Sequence, residues 1–141
     1  MAQKLVRVAA GVLVAAGAFV LAGGGSLVGQ DKKGPTIKEI MKAGHAGADA
    51  YLGKVNAAVK GGNWDDAAKA AKALDDNAAL LGKATPKKGD ASSWADLTKK
   101  YHGNTSALLA ATEKKDAAGA KSAVGALQGS CKECHSVHKG K

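Results

Sequence analysis

The sequence predicts an all-α protein, an antiparallel up-and-down bundle of four helices, on three observations. No stretch after residue 31 alternates apolar and polar residues as a half-buried strand does. Apolar and small residues recur instead at spacings of three and four, the period of one helix face. Four such stretches are joined by short links, and helices joined by short links pack side by side with alternating direction.

The first predicted helix starts at Thr36. Thr36-Ile37-Lys38-Glu39 fits a capping box, in which the threonine hydroxyl and the glutamate carboxylate each satisfy a free amide. Ile37, Ile40, Met41, Gly44, Ala48, Leu52, Val55 and Val59 lie on one face, and Gly61-Gly62 ends the helix. The second starts at the cap Asn63, with Asp65 and Asp66 well placed in its first turn. Its face is Trp64, Ala67, Ala71, Leu74, Ala78 and Leu81. Residues 82–90, with Pro86 and Gly89, form a linker. The third starts near Ser92 or Ser93 and carries Trp94, Leu97, Tyr101, Leu108 and Thr112, with Gly103-Asn104 as a place where it weakens or bends. The fourth starts at the cap Asp116 and carries Ala120, Val124, Leu127, Cys131, Cys134 and His138. The sequence contains no internal repeat.

Before these helices, residues 1–30 read as a secretory signal. Lys4 and Arg7 precede an uncharged run from Val8 to Gln30, apolar or glycine throughout Val8–Ala22, and small residues follow at Ala22-Gly23-Gly24-Gly25-Ser26. The competing reading is an uncleaved anchor, which needs about 20 apolar residues. The run is borderline for that, because its last third is glycine-rich. Localisation is then periplasmic or otherwise exported, with membrane attachment only if residues 1–30 are retained. Residues 31–141 form the folded domain.

That domain has 19 lysines, no arginine and 12 carboxylates, a net charge of +7. Scattered lysines without an arginine cluster or an aromatic ladder argue against nucleic acid, whose phosphates favour the planar arginine fork. A basic surface of this kind suits an acidic protein partner. The domain has no phenylalanine, and Trp64, Trp94, Tyr51 and Tyr101 are its only aromatics. An alanine-rich core buries little apolar area per residue, so a large apolar cofactor would add much to it.

The strongest chemical signal is Cys131-Lys132-Glu133-Cys134-His135. Cys-X-X-Cys-His is the pattern of c-type haem attachment. On a helix, residues three and four apart share a face. Cys131 and Cys134 can therefore reach two vinyl groups on one edge of a porphyrin, while His135, one turn beyond Cys131, offers a nitrogen to the iron. Three other readings compete. A disulfide between the cysteines suits an exported protein but leaves His135 unexplained. A thioredoxin-like pair expects strands. A zinc site of Cys131, Cys134, His135 and His138 has suitable ligand types, but Cys134 and His135 diverge by about 100° around the helix axis.

A motif near the end of the last of four helices resembles the cytochrome c prime family, the class II cytochromes c. The similarity spans most of residues 35–141, including the Trp94 helix, the Glu113-Lys114-Lys115-Asp116 link and the ending Cys-Lys-Glu-Cys-His-Ser-Val-His-Lys. The family usually ends Cys-X-X-Cys-His-X-X-Tyr-Arg; here His138 and Lys139 stand at the last two places. Lys139 keeps the positive charge near the haem without arginine's planar hydrogen bonding. The resemblance implies one covalent haem c inside the bundle. It implies His135 as proximal ligand, and a pocket walled by Ile37, Ile40, Trp94, Leu97, Tyr101, Val124 and Leu127, for each of which ordinary core packing is the competing role. In the family the first helix presents its residue to the distal face. A leucine or phenylalanine there leaves iron five-coordinate, and a methionine makes it six-coordinate and low-spin. Met41 falls at this position, with plain core packing as its other role. His45, four residues on, is the rival ligand. Small residues at Gly44 and Gly47 would admit the porphyrin edge or close helix contact. His102 reads as a surface residue.

The expected function is therefore electron transfer by a monohaem cytochrome with an acidic redox partner, and not an enzyme. A five-coordinate haem module that binds nitric oxide or carbon monoxide is the alternative. A peroxidase, with His45 as sole distal base, lacks a convincing acid–base set. Some bundles of the family pair through their first two helices, so a homodimer is allowed.

Overall fold

The computed structural model describes residues 34–139, and all regular structure among them is helical. The predicted signal or anchor segment, residues 1–30, lies outside the described residues. Five helices follow one another: α1 (Ile37–His45), α2 (Tyr51–Lys60), α3 (Trp64–Leu81), α4 (Ala91–Glu113) and α5 (Ala117–His138). Each packs on its predecessor from α2 to α5 except that α1 rests on both α2 and α3. Among the described residues, no helix is long and apolar enough to cross a membrane.

The helix starts follow local chemistry. The Thr36 amide donates to Glu39 Oε2 at 2.7 Å, and the Glu39 amide donates to Thr36 Oγ1 at 3.3 Å. The predicted capping box is formed, and the Thr36 amide and hydroxyl, both donating to the Glu39 carboxylate, hold that carboxyl below its usual range. Asp116 Oδ1 accepts from the Gly119 amide at 2.9 Å, as expected of an N-cap. Two starts differ from expectation. Asn63 occupies the N-cap of α3, but its side chain makes no capping bond. The cap of α4 is Asp90, ahead of the predicted serines; its carboxylate accepts from the Ser93 amide at 2.7 Å and the Ser92 hydroxyl at 2.9 Å. Helix α4 also runs unbroken through Gly103-Asn104.

The largest correction concerns the first predicted helix, which is two helices. After His45 the chain turns through residues 46–50 before α2 begins. Gly47 takes φ +89°, a left-handed conformation that glycine adopts without a Cβ clash. Gly53 then makes the turn possible from the other side. A Cβ on it would lie 2.5 Å from the Ala48 carbonyl oxygen and 2.6 Å from that of Gly47. Ala48, predicted on the apolar face, is instead exposed in this turn.

The core is built from Ile40, Val55, Leu74, Leu81, Trp94, Tyr101, Leu108 and Leu127, with alanines 71, 78, 111, 120 and 123 between them. Alanine lets the helices approach closely, at the expense of apolar area per residue. Side-chain polarity is tied off locally. The Thr105 and Ser106 hydroxyls both donate to Asp75 Oδ1, at 2.7 and 2.8 Å, and clamp α4 to α3. His102 Nε2 lies 3.4 Å from the same oxygen, with its side chain partly exposed at the surface as expected. Asn77, on the buried face of α3, donates from Nδ2 to the Ile40 carbonyl oxygen of α1 at 2.9 Å.

Candidate functional site

Helix α5 carries the Cys-X-X-Cys-His sequence in its last two turns. Cys131 and Cys134 are free thiols, both half-buried, and Cys134 packs against the core. The i, i+3 relationship puts both sulfurs on one helix face. His135, next along the chain, is exposed. Burial pushes both thiols above their ordinary range, with Cys131 adding to the rise at Cys134. A reactive dithiol of the thioredoxin kind shows the opposite, a lowered thiol pKa in an electropositive setting.

Facing this motif is a pair of side chains from two other helices. His45 Nε2, in the last turn of α1, is hydrogen-bonded to the Tyr101 hydroxyl of α4 at 2.7 Å, with the rings edge to face at 5.7 Å between centroids. Burial, and after it the charge His135 can carry, keeps His45 below the usual imidazole range. The two imidazoles, one from α1 and one from α5, therefore sense each other. Burial also raises the Tyr101 phenol, and neighbouring Cys131 and Asp75 add to the effect, so the hydroxyl stays protonated. Gly44 brings α1 close at this point, since a Cβ there would meet Asn77 Nδ2 at 3.2 Å and Leu74 Cδ1 at 3.4 Å. His45, Tyr101, Cys131 and His135 thus form one neighbourhood. Met41, one turn before His45, is half-buried against the core.

The expected pocket residues divide. Ile40, Trp94, Tyr101 and Leu127 are buried; Ile37, Leu97 and Val124 are half-buried. Lys139 is exposed just beyond the last turn of α5, where its amide donates to the His135 carbonyl oxygen at 3.3 Å.

His138 does not turn toward the cysteines. Its Nδ1 donates to the Lys88 carbonyl oxygen at 2.7 Å, its Nε2 lies 2.9 Å from Ser93 Oγ, and its ring stands edge to face on Trp94. With both nitrogens engaged by the 82–90 linker and α4, it is not available to a four-ligand zinc cage. Among the described residues, no three His, Cys, Asp or Glu side chains converge as a metal-holding group. What the motif offers instead is two half-buried sulfurs on one face of α5, with Cys134 against the core, and an exposed imidazole beside them. That donor set fits a porphyrin held by two thioethers.

Comparison with protein-family models, with curated proteins and with solved structures finds no match to this chain.

The Tyr101–His45 bond and the Asn77–Ile40 bond are not anticipated from the sequence. Asn77 carries a signal: it falls three residues after Leu74, on the apolar face of α3, where a polar side chain needs a partner. Tyr101 and His45 carry no such mark, because they are 56 residues apart and meet through packing.

Proposed function

We propose that this chain is an exported monohaem c-type cytochrome of the cytochrome c prime kind, and that it carries electrons. Cys131 and Cys134 would hold one haem c by two thioether bonds, with His135 as proximal iron ligand. The observation that carries this reading is the pair of free thiols on one face of α5, with His135 exposed beside them and His45 and Tyr101 opposite. In this reading α1 and α2 together make one arm of an antiparallel up-and-down four-helix bundle, and α3, α4 and α5 make the other three. The helix contacts in chain order support that arrangement. Residues 1–30 would direct export.

A haem bound there supplies a one-electron ferric–ferrous couple. The chain's own residues do the rest. Ile40, Leu127 and the half-buried Ile37, Leu97 and Val124 exclude water from the apolar face, which favours the less charged ferrous state. Met41 is the proposed sixth ligand, from the helix position, and His45 is its rival. Exposed Lys132 beside the cysteines, with Lys139, presents positive charge to an acidic redox partner.

One observation favours a second reading. His45 already holds Tyr101, and Met41 packs into the core. If both keep these contacts, the distal position is open and the protein binds nitric oxide or carbon monoxide.

Protein made in a host that installs haem c tests the first proposition. The polypeptide mass should rise by one haem, and the visible spectrum should be that of a c-type cytochrome. A colourless protein of unmodified mass would end the proposal. Carbon monoxide titration of the reduced form separates the two functions. No binding supports electron transfer, and rapid tight binding supports the gas-binding module.

A further inference from the structure

The indole N–H of Trp94 is buried without a hydrogen-bond partner among the described residues, and the residue as a whole is only 6% exposed. Buried donors are rarely left unpaired, because an unsatisfied one carries its full desolvation cost. The Thr98 hydroxyl, one turn on, donates to the Trp94 carbonyl oxygen at 2.8 Å and makes no bond to the indole. The ring is thus buried with its donor free.

The position of that donor is informative. Trp94 belongs to the core against which Cys134 packs, and its ring meets His138, one turn past Cys134 on α5. On α4 it precedes Tyr101 by seven residues, about 10 Å along the axis. The α4 face between Trp94 and Tyr101 therefore runs beside the α5 segment from Cys131 to His138. Two exposed lysines flank His138 along the backbone, Lys88, whose carbonyl oxygen that histidine holds, and Lys139, which follows it, while the Asp90 carboxylate caps α4 and keeps its charge.

We infer that the Trp94 indole N–H is the donor for a carboxylate of the bound porphyrin, a propionate, and so positions and tunes the group that Cys131 and Cys134 attach. This rests on the proposed haem attachment. A hydrogen bond from a buried donor to an anion is of the stronger, charge-assisted kind. It withdraws electron density from the propionate, and its loss should lower the reduction potential.

The test uses the haem-loaded protein in two forms. Trp94→Phe removes the donor and keeps a ring. In the second form Trp64→Phe leaves one tryptophan, which is replaced by benzothienylalanine, an isosteric analogue with sulfur in place of the N–H. Both should retain the haem, show a lowered midpoint potential, and shift the propionate carboxylate bands in the redox-difference infrared spectrum. A structural role alone would leave those bands in place. If Trp94→Phe fails to fold, the isosteric analogue decides. Carboxylate bands and potential unchanged from those of the parent would overturn the role of Trp94 and leave haem attachment standing. A chain that takes up no haem would overturn both.

Discussion

A hydrogen bond of 2.7 Å joins His45 Nε2 to the Tyr101 hydroxyl and ties the end of α1 to the middle of α4. Tyr101→Phe removes it and leaves a half-buried imidazole nitrogen without its partner. The expected loss is about 1–2 kcal/mol, or roughly 5–10 °C in Tm for a domain of this size. A double-mutant cycle with His45→Ala should give a coupling of at least about 0.5 kcal/mol. Additive losses in chemical denaturation would mean the two side chains do not interact.

The distal ligand separates by spectrum. If Met41 binds the iron, Met41→Ala converts a low-spin spectrum to high-spin and His45→Ala leaves it low-spin. The reverse pattern assigns His45. A protein that is high-spin before either change has an open sixth position, as the gas-binding function needs.

Two glycines should respond to alanine in opposite directions. Gly103 lies inside α4 with nothing within 4 Å of an added Cβ. Gly103→Ala should therefore stabilise by about 0.5–1 kcal/mol, the helix-propensity difference. Gly53 lies inside α2, where a Cβ would strike two backbone carbonyl oxygens of the α1–α2 turn. Gly53→Ala should destabilise by about 2 kcal/mol or more, since backbone cannot step aside as a flexible side chain does. Urea unfolding of both variants measures this, and equal gains would contradict the close approach.

Acid should weaken the helix starts. The Ser93 amide and Ser92 hydroxyl hold the Asp90 carboxyl below its usual range, and Thr36 does the same for Glu39. The unfolded carboxyl binds its proton more readily than the folded one. The stabilisation is therefore complete above the unfolded pKa, at about 4, and disappears as pH falls through the lower folded values. Asp90→Asn keeps an oxygen for the cap without the charge. Its stability should fall less steeply than that of the parent between about pH 4 and 2, read from urea midpoints. Parallel curves would show that Asp90 keeps an ordinary carboxyl.

Legibility follows the range of the interactions. Thr36–Glu39 and Asp116–Gly119 are contacts three residues apart, and both caps are legible in the order of residues alone. The apolar faces of α3 and α4 are legible for a similar reason: Ala67, Ala71, Leu74, Ala78 and Leu81, like Trp94, Tyr101 and Leu108, recur with the helix period and are buried. The break after His45 is harder to read. Gly44, Gly47 and Gly53 are visible, but a glycine inside an apolar pattern signals either a tolerated defect or a turn. Here the carbonyls of residues 47 and 48 lie against Gly53, a contact that exists only once the turn has formed.

Taken alone, the sequence determined the helical periodicity, most of the helix starts and the Cys131-X-X-Cys134-His135 spacing, because each depends on atoms within a few residues of one another. Tertiary structure decided which side chains face that motif. It paired His45 with Tyr101, turned His138 away to Lys88 and Ser93, and buried Trp94 with its N–H free. Those outcomes depend on how whole helices pack, and packing is settled by the summed fit of the core.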